Sequence, residues 1–209
     1  MVRTISFVAL GDSLTVGFIP ETFPINYPYT EFLKEMADNF LKQVGKDDTV
    51  DVTIMNRGVN GELTSDILLR FRRDVIALRP NCLIVLGGTN DIGWGVPVEE
   101  IFANLTRMFH MAMDNAIEPM GCTVPSVLGW DEGIPPRMEL NELLKRFCSE
   151  KGILCADLFA GTCDPETKRL RADCSSDGLH LNGVGYRRIA ETIFDEVIRS
   201  VLIRELDMD

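Results

Sequence analysis

Thr4-Ile5-Ser6-Phe7-Val8-Ala9-Leu10 runs without a break into Gly11-Asp12-Ser13. A short apolar, partly β-branched run that ends on turn-forming residues is the pattern of a buried strand, here over residues 5–10, emptying into a loop. The run is too short for the apolar core of a signal peptide, so it reads as a first strand and not as a removable leader. Four more runs repeat the pattern, at residues 50–55, 82–86, 120–124 and 153–157, each bounded by Gly, Pro, Asn or Asp. Between them apolar residues recur at helical spacing. Phe32, Leu33, Met36, Phe40, Leu41 and Val44 mark a helix over 29–44, and Ile67, Leu68, Phe71, Val75 and Leu78 one over 64–78. Similar stripes predict helices over 98–115, 136–151 and 184–204.

Strands alternating with helices imply an α/β fold: a three-layer α/β/α sandwich around a flavodoxin-like, five-stranded parallel sheet. With no linker, repeat or low-complexity stretch, the expectation is one domain over residues 1–209. A chain of this length buries enough surface to need no metal or disulfide staple. The formal net charge is -11, which disfavours nucleic acid or an anionic membrane as partner, and the basic residues form only short pairs such as Arg72-Arg73 and Arg187-Arg188. No apolar stretch reaches membrane-spanning length. Six cysteines without C-x-x-C spacing read as free thiols in a reducing cytoplasm, with one local disulfide among Cys155, Cys163 and Cys174 left open. The expected location is therefore cytoplasmic, with a secreted form whose leader has been removed as the alternative; the oligomeric state stays open.

In such a sheet ligands bind at the carboxyl ends of the strands. Ser13 follows the first strand, where a serine is either a nucleophile or a turn-capping residue. Asn56-Arg57-Gly58-Val59-Asn60-Gly61 follows the second, and its glycines allow close backbone approach or form an ordinary turn. Gly87-Gly88-Thr89-Asn90-Asp91 follows the third and presents the Asn90 amide as a neutral donor. Asp177-Gly178-Leu179-His180 precedes the last helix, and its spacing lets the carboxylate reach the imidazole. The other histidine, His110, sits inside a helix and reads as structural. Two histidines and no H-E-x-x-H leave no zinc-site pattern, so no metal and no cofactor is expected.

Together, in this order, Gly11-Asp12-Ser13-Leu14, Gly58 in its Asn-Arg-Gly-Val-Asn-Gly setting, Gly88-Thr89-Asn90-Asp91 and Asp177-Gly178-Leu179-His180 resemble the motif blocks of the SGNH, or GDSL, hydrolases. The resemblance runs from the first strand to the last helix; Leu181 departs from it, since many relatives have proline there. It implies a serine esterase that acts through an acyl-serine on a small or lipid-like ester. Ser13 would be nucleophile, His180 general base and acid, and Asp177 its orienting partner. The Ser13 and Gly58 N–H groups and the Asn90 amide would form the oxyanion hole. An acyltransferase or a carbohydrate O-acetylesterase uses the same machinery, and a silent binding module or a flavodoxin-like regulatory domain the same fold. Trp94 and Trp130 lie on the ligand edge as substrate-binding candidates or plain packing residues. The aromatic and proline-rich segment at 17–28 either walls an acyl pocket or is a packed connection.

Overall fold

The computed structural model describes residues 2–22 and 25–207. Its sheet has the strands β1 (Arg3–Gly11), β2 (Val50–Gly58), β3 (Cys82–Leu86), β4 (Glu118–Cys122) and β5 (Leu154–Ala156). Their order is β2-β1-β3-β4-β5, and every pair is parallel. This is the expected three-layer α/β/α sandwich.

The two-residue period of a strand sorts the core into two layers. Ile5, Phe7 and Ala9 of β1, with Cys82, Ile84 and Leu86 of β3, face one side; Val8 and Leu10, with Leu83 and Val85, face the other. The first layer is covered by α2 (Tyr29–Gln43) and by the C-terminal helical run, α8 (Gly183–Ile193) and α9 (Arg199–Asp207). The second is covered by α3 (Thr64–Asp74), α5 (Val98–Met113) and α6 (Ile134–Lys151). Fully buried side chains such as Phe7 and Phe71 each contribute about 1.5–3 kcal/mol by leaving water.

Several boundaries differ from the sequence expectation for local reasons. β2 runs three residues further, because Asn56, Arg57 and Gly58 still pair with Ala9, Leu10 and Gly11. β4 starts at Glu118, ahead of Pro119; β5 pairs only from Met120 onward, so the proline meets no strand on that side. α6 starts at Ile134 because Pro135 and Pro136 suit a first helical turn, whose N–H groups have no partner within the helix. The expected helix over 184–204 is interrupted by a π-helical turn at Phe194–Ile198 between α8 and α9. Three short helices at strand ends carry no periodic signal: α1 (Ser13–Val16), α4 (Thr89–Gly93) and α7 (Leu158–Thr162). All six cysteines are free. No helix among the described residues is long and apolar enough to cross a membrane.

Candidate active site

β1 delivers Ser13 to the carboxyl edge of the sheet as the first residue of α1. Asp12 caps that helix, its Oδ1 accepting the Leu14 N–H at 2.9 Å, and Gly17 closes it in the left-handed conformation at φ 79°. Ser13 is nearly buried, at 7% exposure. As first residue of the helix it has an N–H with no acceptor within the helix. Its hydroxyl has no hydrogen-bond partner among the described residues.

The Asp177-His180 loop is built around one carboxylate. Asp177 Oδ1 accepts the Leu179 and His180 N–H groups at 2.9 and 2.7 Å, and Oδ2 lies 2.7 Å from His180 Nδ1. Burial pushes the Asp177 carboxyl up, but the imidazole and the two N–H donors outweigh it and hold its pKa below the usual value. The ionised carboxylate can only accept, so Nδ1 carries the proton and Nε2 is left as the basic nitrogen. Ser175 Oγ donates to the His180 carbonyl at 2.6 Å and accepts the Gly178 N–H at 2.9 Å. Gly178 has φ 85°, and a Cβ there would lie 2.3 Å from the Leu128 carbonyl oxygen, so only glycine fits.

Ser13 and His180 are joined through Phe18 and not by a direct hydrogen bond. The Phe18 N–H donates to the Ser13 carbonyl at 3.1 Å, and its ring meets the imidazole edge-on at 4.9 Å. The Tyr186 hydroxyl donates to the Phe18 carbonyl at 2.9 Å and so ties α8 to this contact. Of the segment at 17–28, Ile19 packs in the core while Ile25 and Tyr27 are exposed; Phe23 and Pro24 lie outside the described residues. His110 is exposed on α5, its ring against Phe147.

Gly58 does not offer the free N–H expected of it. It is the last residue of β2, and its N–H donates to Asn56 Oδ1 at 2.9 Å. The same Asn56 side chain donates to the Thr15 carbonyl and to Thr30 Oγ1, pinning β2 to α1 and α2. A Cβ on Gly58 would meet the Val16 nitrogen at 2.4 Å, so the glycine serves close packing of β2 on α1. Beyond it the chain turns through Asn60-Gly61, with Gly61 at φ 78°; the Gly61 N–H has no acceptor among the described residues. The next residue, Glu62, accepts one Asn90 Nδ2 hydrogen on its carbonyl at 2.9 Å, leaving the other free.

Three buried ionisable groups, Asp91, Arg70 and Asp12, meet at this corner. Asp91 accepts from the Thr64 N–H and, at 2.6 Å, from Thr64 Oγ1, tying α4 to the start of α3. Arg70 of α3 donates to Glu62 at 2.6 Å, to Asp74 at 2.9 Å and to the Gly11 carbonyl at 2.9 Å, joining the end of β1 to the Gly61-Glu62 turn. Asp12 is the unbalanced member. Burial pushes its carboxyl up to about 7, with Asp91 and Glu62 adding to the rise against the Leu14 N–H, and its Oδ2 has no partner. A raised pKa in the folded state means that the folded protein holds this proton where the unfolded chain has lost it. Stability therefore falls as pH rises from about 4 to about 7. Asp12→Asn, which keeps the cap acceptor, is expected to gain roughly 2–4 kcal/mol over wild type at pH 8 and nearly nothing at pH 4. Urea unfolding at the two pH values measures this; a difference independent of pH contradicts it.

Beside these groups lies a cleft of about 510 Å³. Thr89, Asn90 and Trp94, Leu128–Trp130, Asp177–Leu179 and Arg137 line it. Both candidate tryptophans thus line it. Trp94 is 80% exposed and packs little, whereas Trp130 is 37% exposed and lies against Arg137.

Residues 9–188 match the GDSL-like lipase/acylhydrolase family. The chain belongs to that family. It is thus a hydrolase of the GDSL type, with an esterase or acylhydrolase activity. A segment of 85 residues is 35% identical to the uncharacterized lipoprotein YqeF of Bacillus subtilis (strain 168), covering 40% of this chain and 31% of that one. The match therefore spans about a third of that relative's length. The acetylxylan esterase Axe2 of Geobacillus stearothermophilus has the same fold, with a TM-score of 0.76 at 17% identity over 93% of this chain and 94% of its own. So has a GDSL-like lipase from Bacteroides thetaiotaomicron VPI-5482, with a TM-score of 0.71 at 22% identity over 94% and 89%.

Within this GDSL-family chain the structure brings Asp177 and His180 together and sets Ser13 and Asn90 on the same sheet edge. Sequence reasoning weighed Gly61 together with Gly58 but singled out Gly58 as the donor, and it gave no part to Phe18, Arg70 or the buried Asp12. Gly61 carried a signal, as the glycine of an Asn-Gly turn outside the strand; the other three act through partners distant in sequence or through burial.

Proposed function

We propose that the chain is a single catalytic unit that hydrolyses carboxylic esters through an acyl-serine. The reading rests above all on the 2.7 Å contact between His180 Nδ1 and the ionised Asp177, held on the edge where Ser13 opens α1. His180 Nε2 takes the Ser13 hydroxyl proton as the oxygen attacks the ester carbonyl, and Asp177 stabilises the imidazolium. The tetrahedral oxyanion is met by the Ser13 N–H, the free Asn90 Nδ2 hydrogen and the Gly61 N–H, which replaces Gly58 in this role. His180 then gives its proton to the leaving alcohol, and water repeats the sequence to release the acid. No protonated Asp177 is needed at any step.

The cleft lined by Trp94 and Trp130 receives the substrate. Two aromatic faces beside an open cleft also suit a sugar ring, as does the fold shared with an acetylxylan esterase, so an O-acetylated carbohydrate is the second reading. A panel of 4-nitrophenyl esters of rising chain length, run beside an acetylated xylooligosaccharide, tests both; hydrolysis of none of them contradicts the proposal. An added alcohol acceptor that diverts product to a new ester would mark a transferase instead.

Asn90→Ala is expected to lower kcat by about 10²–10³ with KM little changed, because the amide acts on charge that develops in the transition state. Steady-state kinetics on any ester that the panel identifies will check it. An effect confined to KM would make Asn90 a ground-state binding group.

A further inference from the structure

Arg137 is the one fully buried cation at the cleft among the described residues, and none of those residues gives it a counter-charge. Its side chain is 0% exposed. Nη1 donates to the Gly133 carbonyl at 2.8 Å, while Nε and Nη2 have no hydrogen-bond partner. No carboxylate among the described residues pairs with it: Asp131 is bound to Arg169 and Asp177 to His180. The indole of Trp130 lies across the guanidinium, 5.3 Å from its carbon to the ring centroid. Arg137 also falls in the first turn of α6, an 18-residue helix, where the helix dipole adds positive potential to a positive side chain. A buried, unpaired guanidinium at the positive end of a long helix costs several kcal/mol in a protein that needs it only for packing. An apolar side chain of similar volume would fill the same space without that cost.

We propose that Arg137 is an anion-binding subsite of the cleft and that the substrate is an ester carrying a carboxylate, on its acyl or its alcohol part. The inference rests on the esterase reading and deepens it to a substrate class. The cleft joins the two sites, since the same cavity is lined by Asn90 and Asp177 at one part and by Arg137 at another. Nε and Nη2 are adjacent donors in the fork geometry that matches the two oxygens of a carboxylate. Trp130, which lies over the guanidinium and is itself partly exposed, would have to move for an anion to reach it. Burial lowers the guanidinium pKa to about 10, which leaves it charged at neutral pH. The net charge of -11 gives no general attraction for anions, so the preference must come from this one group.

Two matched pairs test it. 4-Nitrophenyl hemiadipate against 4-nitrophenyl hexanoate places the carboxylate on the acyl side; 4-carboxyphenyl acetate against phenyl acetate places it on the alcohol side. For one pair the anionic member is expected to have a kcat/KM at least about tenfold higher, carried by KM. Arg137→Met should bring the ratio of kcat/KM for the anionic over the neutral member down to about one, and Arg137→Lys should keep part of the advantage. No preference in the wild type for either pair, or an equal loss for both members in Arg137→Met, overturns the proposal. If Arg137→Met fails to fold, the wild-type comparison and Arg137→Lys decide. Calorimetry of adipate and of 4-hydroxybenzoate on the Ser13→Ala protein separates the two levels. Binding of either without any ester turnover by the wild type would sink the esterase reading alone; turnover of neutral esters with binding of neither would sink this one alone.

Discussion

Ser13→Ala is expected to lower ester hydrolysis by about 10⁴–10⁶ in kcat and to leave the fold intact. Both halves follow from the position of the residue. The hydroxyl has no hydrogen-bond partner among the described residues, so its loss strands no buried donor or acceptor. The cap of α1 belongs to Asp12, whose Oδ1 accepts from Leu14, and alanine is well suited to the first turn. What disappears is the nucleophile, and the donors at Asn90 and Gly61 cannot replace it. Residual activity above the water rate would come from those donors alone. The checks are single-turnover kinetics beside a thermal melt: an unchanged melting temperature with activity gone is the expected pair. A variant that loses activity together with its fold would instead make Ser13 a structural residue of the α1 turn.

His180→Ala is expected to have an effect of the same order, while His110→Ala retains activity. His180 is the only imidazole at the sheet edge. His110 is exposed on α5 and touches Phe147, so its removal costs at most a little packing. The pH profile separates them further. A base must be unprotonated to accept the Ser13 proton, so activity falls as pH falls, and that acidic limb must survive in His110→Ala. Asp177→Asn should cost less than His180→Ala, because a partly oriented imidazole still accepts a proton. It should also disturb the loop, since Asp177 Oδ1 holds two N–H groups of that turn. A folded His110→Ala protein that loses the limb and the activity, with His180→Ala keeping both, contradicts the assignment.

The sheet was legible because its strands are short apolar runs between longer amphipathic ones, and a parallel sheet leaves few ways to connect them. The placement of Ser13, Asn90, Asp177 and His180 at one edge of the sheet was legible because each stands just beyond a strand or just before the last helix, where this fold exposes loops. Gly58 was misread for a physical reason. Asn56-Arg57-Gly58 has the composition of a turn, yet pairing with Ala9–Gly11 continues through it, since the Asn56 side chain satisfies groups on α1, α2 and Gly58. Arg70, which bridges Gly11 and Glu62, lies 59 residues from Gly11 in the chain, and the link leaves no local pattern. Arg137 shows the same limit from the other direction. In an amphipathic helix an arginine reads as a solvated face, and only the packing of Trp130 and Gly133 around it reveals the burial. The short helices α1, α4 and α7 have too few turns to show a period.

The central claim is that Ser13 Oγ forms a covalent acyl adduct, and an active-site phosphonate tests it most directly. The protein is incubated with a fluorophosphonate, digested, and the modified residue located by mass spectrometry. One adduct per chain on Ser13 is predicted, forming in step with loss of esterase activity, absent from Ser13→Ala and strongly slowed in His180→Ala. Inactivation with the label on any other residue, or an adduct on Ser13 that leaves ester hydrolysis unchanged, contradicts the account.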